Sequence, residues 1–347
     1  MKIVGTVIKI LVVLLIFFQG ETIYGEQRKY NVGMRHISTS MQPEDVEMHI
    51  MVWYPTSEHA QHTQIGPFEM EVARDANVEP GTRSLIVISH GDGGGHFNHR
   101  DTAAYLAKRG YIVAAVLHPH NNYGDNSEEG TYTNLVNRPR QISQAIDTLL
   151  NQHVFKETLD TSRIAVIGHS TGAYTALALA GGRPNTANIR VHCDTHHDDP
   201  IFCRNFSILS KIKRYFSPQD GWAENVIDNT DDPRIKAAVL MAPVGVLFND
   251  EQSLSNVRVP LRIYRAEKDD VLRSPYHAEF LKEQLSLQPE YIVVKNAGHY
   301  AFIAPIPDSM KHEVGEVAID PNGFDRVHFH TTMNQEIVEF LSRSLSQ

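Results

Sequence analysis

From about residue 84 onward, short apolar runs alternate with amphipathic stretches. Strands buried on both faces read as continuous apolar runs, so this alternation predicts a mostly parallel central sheet with helices on both faces. The runs fall at 85–88, 111–116, 164–167, 237–241, 261–264 and 291–294. Between them, apolar positions recur every three or four residues. They predict a helix through Ala103, Leu106 and Ala107 ended by Gly110, one over 140–150, one over 173–180 stopped by Gly181 and Gly182, and others near 277–285 and 336–345. Residues 27–55 read as edge strands, with Met48, Ile50 and Val52 alternating before Trp53-Tyr54-Pro55.

The rhythm breaks at 183–234. This stretch is rich in Asn, Asp, His and Pro, holds both cysteines, and carries an apolar patch of Phe202, Phe206, Ile208 and Leu209. It reads as an insertion over the strand ends, either a lid or a surface excursion. The amino terminus reads as a signal peptide over residues 1–25, with Lys2 and Lys9, an apolar stretch at 10–18, and small residues from Gly20 to Gly25. That stretch is far short of the roughly 20 residues that span a bilayer, which favours cleavage and export over a stable membrane anchor. Residues 26–347 are then expected to form a single domain, since α/β folds of this size commonly stay undivided.

The formal charge of −9, which becomes −10 without Lys2, Lys9 and Glu21, argues against nucleic acid or an anionic membrane surface as partner, since both need a basic face. Two cysteines, Cys193 and Cys203, in an exported chain favour a disulfide between them.

A serine hydroxyl is a weak nucleophile unless a sharp turn exposes it beside a base. Gly168-His169-Ser170-Thr171-Gly172 has the G-x-S-x-G pattern with the context that gives it meaning, an apolar strand before and an alanine-rich helix after. The fold expected around it is the α/β-hydrolase fold, in which the partners follow in the order serine, acid, histidine. His299, in Gly298-His299 after the 291–294 strand, is the expected base. Asp269, preferred over Asp270, is the expected acid after the 261–264 strand; Glu267 stands too close to the strand end. The oxyanion is expected to receive the backbone N–H groups of Thr171, which follows the nucleophile, and of Asp92 in Ser89-His90-Gly91-Asp92-Gly93-Gly94-Gly95. This glycine run lacks the lysine and spacing of a phosphate-binding loop, so no nucleotide or other cofactor is expected. His192, Asp194, His196, His197, Asp198 and Asp199 cluster in the insertion without a clear i, i+4 pair, and no metal is expected either.

With these residues assembled, the chain resembles the exported bacterial family known as predicted dienelactone hydrolases, itself similar to plasma-type platelet-activating factor acetylhydrolases. The resemblance covers about residues 48–343. It rests on Val52-Trp53-Tyr54-Pro55, Ser89-His90-Gly91, Asn137-Arg138-Pro139, the 168–172 motif, Asp232-Pro233-Arg234-Ile235-Lys236-Ala237 and Gly298-His299. It implies Ser170 as nucleophile, Asp269 as acid, His299 as base, and Asp92 and Thr171 as oxyanion donors. Genuine dienelactone hydrolases use a cysteine where this chain has Ser170. Acetylhydrolases usually carry a bulky aromatic where it has Thr171.

The expected activity is hydrolysis of short- to medium-chain acyl esters through an acyl-enzyme, with a small-molecule or lipid ester as partner. A phospholipase or acetylhydrolase acting on lipid aggregates is the alternative, with the 202–209 patch as an interfacial lid. A catalytically silent hydrolase-fold binding module is the third reading, disfavoured because every triad position is filled.

Overall fold

The computed structural model describes residues 29–42, 45–204 and 226–346. The segment read as a signal peptide, and Phe206, Ile208 and Leu209 of the apolar patch, lie outside the described residues. A ten-stranded sheet runs in the order β10-β9-β8-β7-β5-β6-β2-β1-β4-β3. Its strands are β1 Asn31–Met41, β2 Val46–Thr56, β3 Gln61–Ile65, β4 Phe68–Arg74, β5 Arg83–Ser89, β6 Ile112–Leu117, β7 Leu159–His169, β8 Ile235–Met241, β9 Leu261–Ala266 and β10 Glu290–Val294. Pairing is parallel from β10 through β6.

Successive residues of the parallel strands point to opposite faces. Leu85 and Val87 of β5, with Ile164 and Val166 of β7, join a core beneath α2 Tyr132–Asn151, α3 Thr171–Leu179 and the later helix α6 Ala278–Gln284. Ile86 and Ile88, with Ala165 and Ile167, join a second core beneath α1 Arg100–Lys108 and the carboxy-terminal helix α8 Arg326–Leu345. Both faces are dry, which is why these strands read as unbroken apolar runs.

Three elements differ from the expectation. β1 and β2 are interior strands, because the hairpin of β3 and β4, turning at Gly66 with φ +55°, extends the sheet beyond them. α2 begins eight residues before Arg140 and carries Pro139 inside it, with Thr131 capping its amino terminus. Proline offers no N–H to the carbonyl four residues back; the freed Leu135 oxygen accepts the Tyr174 hydroxyl from α3 at 2.8 Å. α8 begins at Arg326, since its first turns bury polar groups instead of an apolar stripe. Asn334 accepts from Thr102 at 2.7 Å and the His330 ring meets the Ala301 carbonyl at 3.0 Å.

Residues 183–234 lie between α3 and β8. Their described part forms α4 Ala187–Thr195, α5 Pro200–Arg204 and one isolated bridge from Asn185 to Val226.

Candidate active site

β5 lies between β6 and β7, and the chain leaves β5 for α1 on one face and β7 for α3 on the other. Such a reversal opens a crevice at the carboxyl ends of the strands. The glycine-rich loop and the serine turn both face it.

Ser170 sits at φ +55°, ψ −121°, a conformation a residue with a side chain adopts only when its surroundings enforce it. The enforcement is close packing. A Cβ on Gly168 would stand 2.0 Å from the Gly172 carbonyl oxygen, and a Cβ on Gly172 would stand 2.0 Å from the Ser89 oxygen. The Ser170 N–H is also held by the Met241 carbonyl at 2.9 Å, at the end of the neighbouring strand.

The turn after β9 brings Asp269 to the His299 ring. Nδ1 of His299 donates to the Asp269 carboxylate, at 2.9 Å from Oδ2 and 3.1 Å from Oδ1. Both side chains are buried, and Asp269 is fixed in turn by the N–H groups of Val271 at 3.0 Å and Leu272 at 2.8 Å. Asp270 is exposed. Glu267 turns away to Lys295 and the Asn296 N–H. With Nδ1 committed as a donor, Nε2 of His299 carries the lone pair, and His299 and Ser170 line one cavity of about 640 Å³.

Asp92 occupies a tight turn closed by the Gly94 N–H on the Gly91 carbonyl at 3.1 Å, with Gly93 at φ +60°. The Thr171 hydroxyl donates to the Asp92 carboxylate at 2.5 Å, joining the two expected oxyanion residues beside Ser170. Asp92, Ser170 and Thr171 line a second cavity of about 80 Å³, walled by Leu135, Ile201, Phe202, Val244, Leu247 and Leu272 among others.

Sequence reading missed several residues here. The buried His169 ring donates from Nε2 to the His299 carbonyl at 3.0 Å, so the residue before the serine holds the loop of the histidine. Burial first, then the neighbouring rings of His299 and His99, keep His169 well below the usual imidazole range and therefore neutral beside them. Ile303, Ile306, Met310, Val314 and Val317, around the short helix α7 Lys311–Val314, wall the larger cavity. Their spacing of three or four residues was the available signal.

The described part of the insertion is tied down. Cys193 and Cys203 form a disulfide around Asp198 and Asp199. The Asp198 carboxylate accepts the Tyr276 hydroxyl at 2.9 Å, and Arg273 donates to the Asp198 carbonyl at 2.9 Å. Asp199, fully buried, meets the Nε2 atoms of His192 and His277, each at 2.9 Å. Burial alone would raise this carboxyl, but hydrogen bonds from the two rings hold it down at about 2.

These three side chains have the composition of a metal site. The proton positions oppose it. Nδ1 of His277 accepts the Gly245 N–H at 3.2 Å, so the neutral ring carries its proton on Nε2 and donates to Asp199. A cation on Nε2 would move that proton to Nδ1, against another donor. The cluster is a hydrogen-bonded clasp that sets Ile201 and Phe202 as walls of the smaller cavity.

Residues 86–312 match the alpha/beta hydrolase family, and the chain belongs to it. Among solved structures it is similar to a ferulic acid esterase from Streptomyces cinnamoneus, with a TM-score of 0.61 and 17% identity over 93% of this chain and 92% of that one. No protein of curated function matches the sequence.

Proposed function

We propose that this hydrolase is a serine carboxylic-ester hydrolase that works through an acyl-enzyme on short- to medium-chain acyl esters. The observation that carries the reading is the line from the Asp269 carboxylate through the His299 ring to the cavity that Ser170 faces. Ser170 Oγ attacks the ester carbonyl while Nε2 of His299 takes its proton; Asp269 holds the ring in that tautomer. The N–H groups of Asp92 and Thr171 receive the oxyanion. His299 then returns the proton to the leaving alcohol, and water repeats the cycle on the acyl-enzyme.

The two cavities divide the substrate. The leaving oxygen must stand beside His299, which lines the 640 Å³ cavity and is not a wall of the 80 Å³ one. The alcohol portion therefore belongs in the large cavity and the acyl portion in the small one. The smaller cavity has about 80 Å³ against about 640 Å³, so the acyl portion has far less room than the alcohol portion. That supports a preference at the short end of the range. The apolar wall from Ile303 to Val317 suits a large apolar alcohol, which keeps a lipid hydrolase of the platelet-activating factor acetylhydrolase type as the second reading, and with it the finer resemblance to that group and to predicted dienelactone hydrolases.

Ser170→Ala should lose turnover of p-nitrophenyl acetate, and a series from acetyl to decanoyl should fall in kcat/KM as the acyl chain lengthens. Wild-type turnover in Ser170→Ala refutes the mechanism. Activity that rises above the micelle threshold favours the lipid reading. Export of the chain, with residues 1–25 removed and 26–347 as a single domain, belongs to the same proposal. The disulfide is compatible with it, and among the described residues no helix is long and apolar enough to cross a membrane.

A further inference from the structure

Asn137-Arg138-Pro139 contributes nothing to the chemistry above, yet Arg138 is 0% exposed and lies directly behind the oxyanion loop. Each nitrogen of its guanidinium is taken. Nε donates to the Thr175 hydroxyl at 3.2 Å, Nη1 to the Asn121 amide oxygen, and Nη2 to the Ser89 hydroxyl at 3.2 Å and to the His90 carbonyl. All of these acceptors are neutral. Among the described residues, no carboxylate oxygen lies within ion-pair distance of Arg138. Burial lowers the guanidinium to about 10, with Asp92 pulling the other way, so it stays charged at neutral pH.

The partners of Arg138 belong to both halves of the expected oxyanion site. His90 and Ser89 begin the loop that carries Asp92. Thr175, one turn along α3, donates its hydroxyl hydrogen bond to the Thr171 carbonyl at 3.0 Å. Behind the guanidinium the polar chain closes on itself. His118 donates from Nδ1 to Gln141 at 2.6 Å, its Nε2 accepts the Ser89 hydroxyl at 2.8 Å, and its backbone N–H donates to His90 Nε2 at 3.2 Å. Burial and the nearby Arg138 hold His90 and His118 well below the usual imidazole range, so the guanidinium is the cation of this network.

A buried charge with only neutral contacts is expensive to maintain, and replacement by apolar groups is often neutral or stabilising. Its retention fits an anion that exists only during turnover. The Asp92 carboxylate, which favours the charged guanidinium, would by itself oppose an oxyanion forming at its own backbone N–H.

We propose that Arg138 is the positioning residue of the oxyanion site: its buried cation offsets Asp92, favours the anionic tetrahedral intermediate at Ser170, and clamps the Asp92 loop to the Thr171 helix. The proposal rests on the acyl-transfer reading. Acting through the loop, Arg138 should be worth roughly 10–100-fold in kcat, below the 10²–10³ of a donor in direct contact.

The test measures Arg138→Gln, Arg138→Lys and the double variant Asp92→Asn/Arg138→Gln, each normalised to reactive serine by burst titration. The readouts are kcat and KM on p-nitrophenyl acetate and Ki for an aryl trifluoromethyl ketone, whose serine adduct is an oxyanion. Arg138→Gln should lower kcat and weaken Ki by the same factor with KM within twofold. The double variant should recover several-fold in Ki because both charges are gone. Arg138→Lys keeps the cation and should retain more of kcat and Ki than Arg138→Gln; if Arg138→Gln does not fold, Arg138→Met, which also removes the charge, is read by the same criterion. A folded charge-removing variant that loses melting temperature while kcat and Ki stay within twofold of wild type overturns the proposal, as does a double variant with no recovery. Ser170→Ala separates the two claims: retained turnover there strikes the acyl-enzyme reading as well, whereas lost turnover with unaffected Arg138 variants strikes this inference alone.

Discussion

Acidification should destabilise this protein well before its carboxylates titrate. His90, His99, His118 and His169 are each no more than 2% exposed. Burial lowers His99 to about 3 and the other three well below their usual value. In the unfolded chain each returns to about 6.5. The unfolded state therefore binds more protons below that pH, and stability present above pH 6.5 is lost as pH falls toward the folded values. Between pH 7 and 5.5 each such ring removes about 1.2 kcal/mol, so the four together remove about 5 kcal/mol. A whole domain holds only about 5–15 kcal/mol. His96, pushed down by burial to about 4, acts in the same direction. The depressed carboxyl of Asp199 works only below the unfolded aspartate value, outside this window. Urea titrations at pH 7.5, 6.5 and 5.5 should show the midpoint falling by about 1.8 M, for a slope of about 3 kcal/mol per molar. His99→Gln, which keeps a donor for the Phe302 carbonyl that Nδ1 meets at 3.1 Å, should reduce the fall by about a quarter. A midpoint that does not move between pH 7.5 and 5.5 refutes the argument that these rings are buried neutral.

Two substitutions test the geometry of the site. Asp269→Asn should lower kcat by roughly 10³–10⁴ with KM little changed, because an amide cannot hold His299 in the required tautomer; a loss under tenfold in steady-state assays would show that another group orients the ring. Gly172→Ala places a methyl group 2.0 Å from the Ser89 oxygen, and relieving it must part the serine helix from the oxyanion loop. A displacement near 1 Å costs on the order of 10² in rate. A melt and a kcat measurement on Gly172→Ala should both show a loss, and wild-type kcat would contradict the close packing.

The parallel strands were legible in the chain because both faces are buried and each becomes a short apolar run. The turn at Ser170 was legible because its glycines and the flanking strand and helix are adjacent in sequence. Ser170, Asp269 and His299 were legible because the serine, acid and histidine follow in that chain order, each after a strand that local pattern reveals. Preference for Asp269 over Asp270 rested on spacing alone; the tertiary structure adds that only Asp269 reaches the His299 ring while Asp270 faces solvent.

Contacts between distant segments were not legible. Nothing local marks Arg138 as sitting against His90, 48 residues away, or His277 as meeting Asp199 across 78. The histidines and aspartates of the insertion have metal-ligand composition, and only the Gly245 N–H on His277 shows which nitrogen carries the proton. The division into a large and a small cavity likewise depends on where Ile201, Leu247 and Val317 converge. The sequence determined the elements and the groups they carry to the crevice, since propensity and periodicity act over a few residues. The tertiary structure decided which buried polar groups meet there and how much room the substrate has, since those follow from packing between segments far apart in the chain.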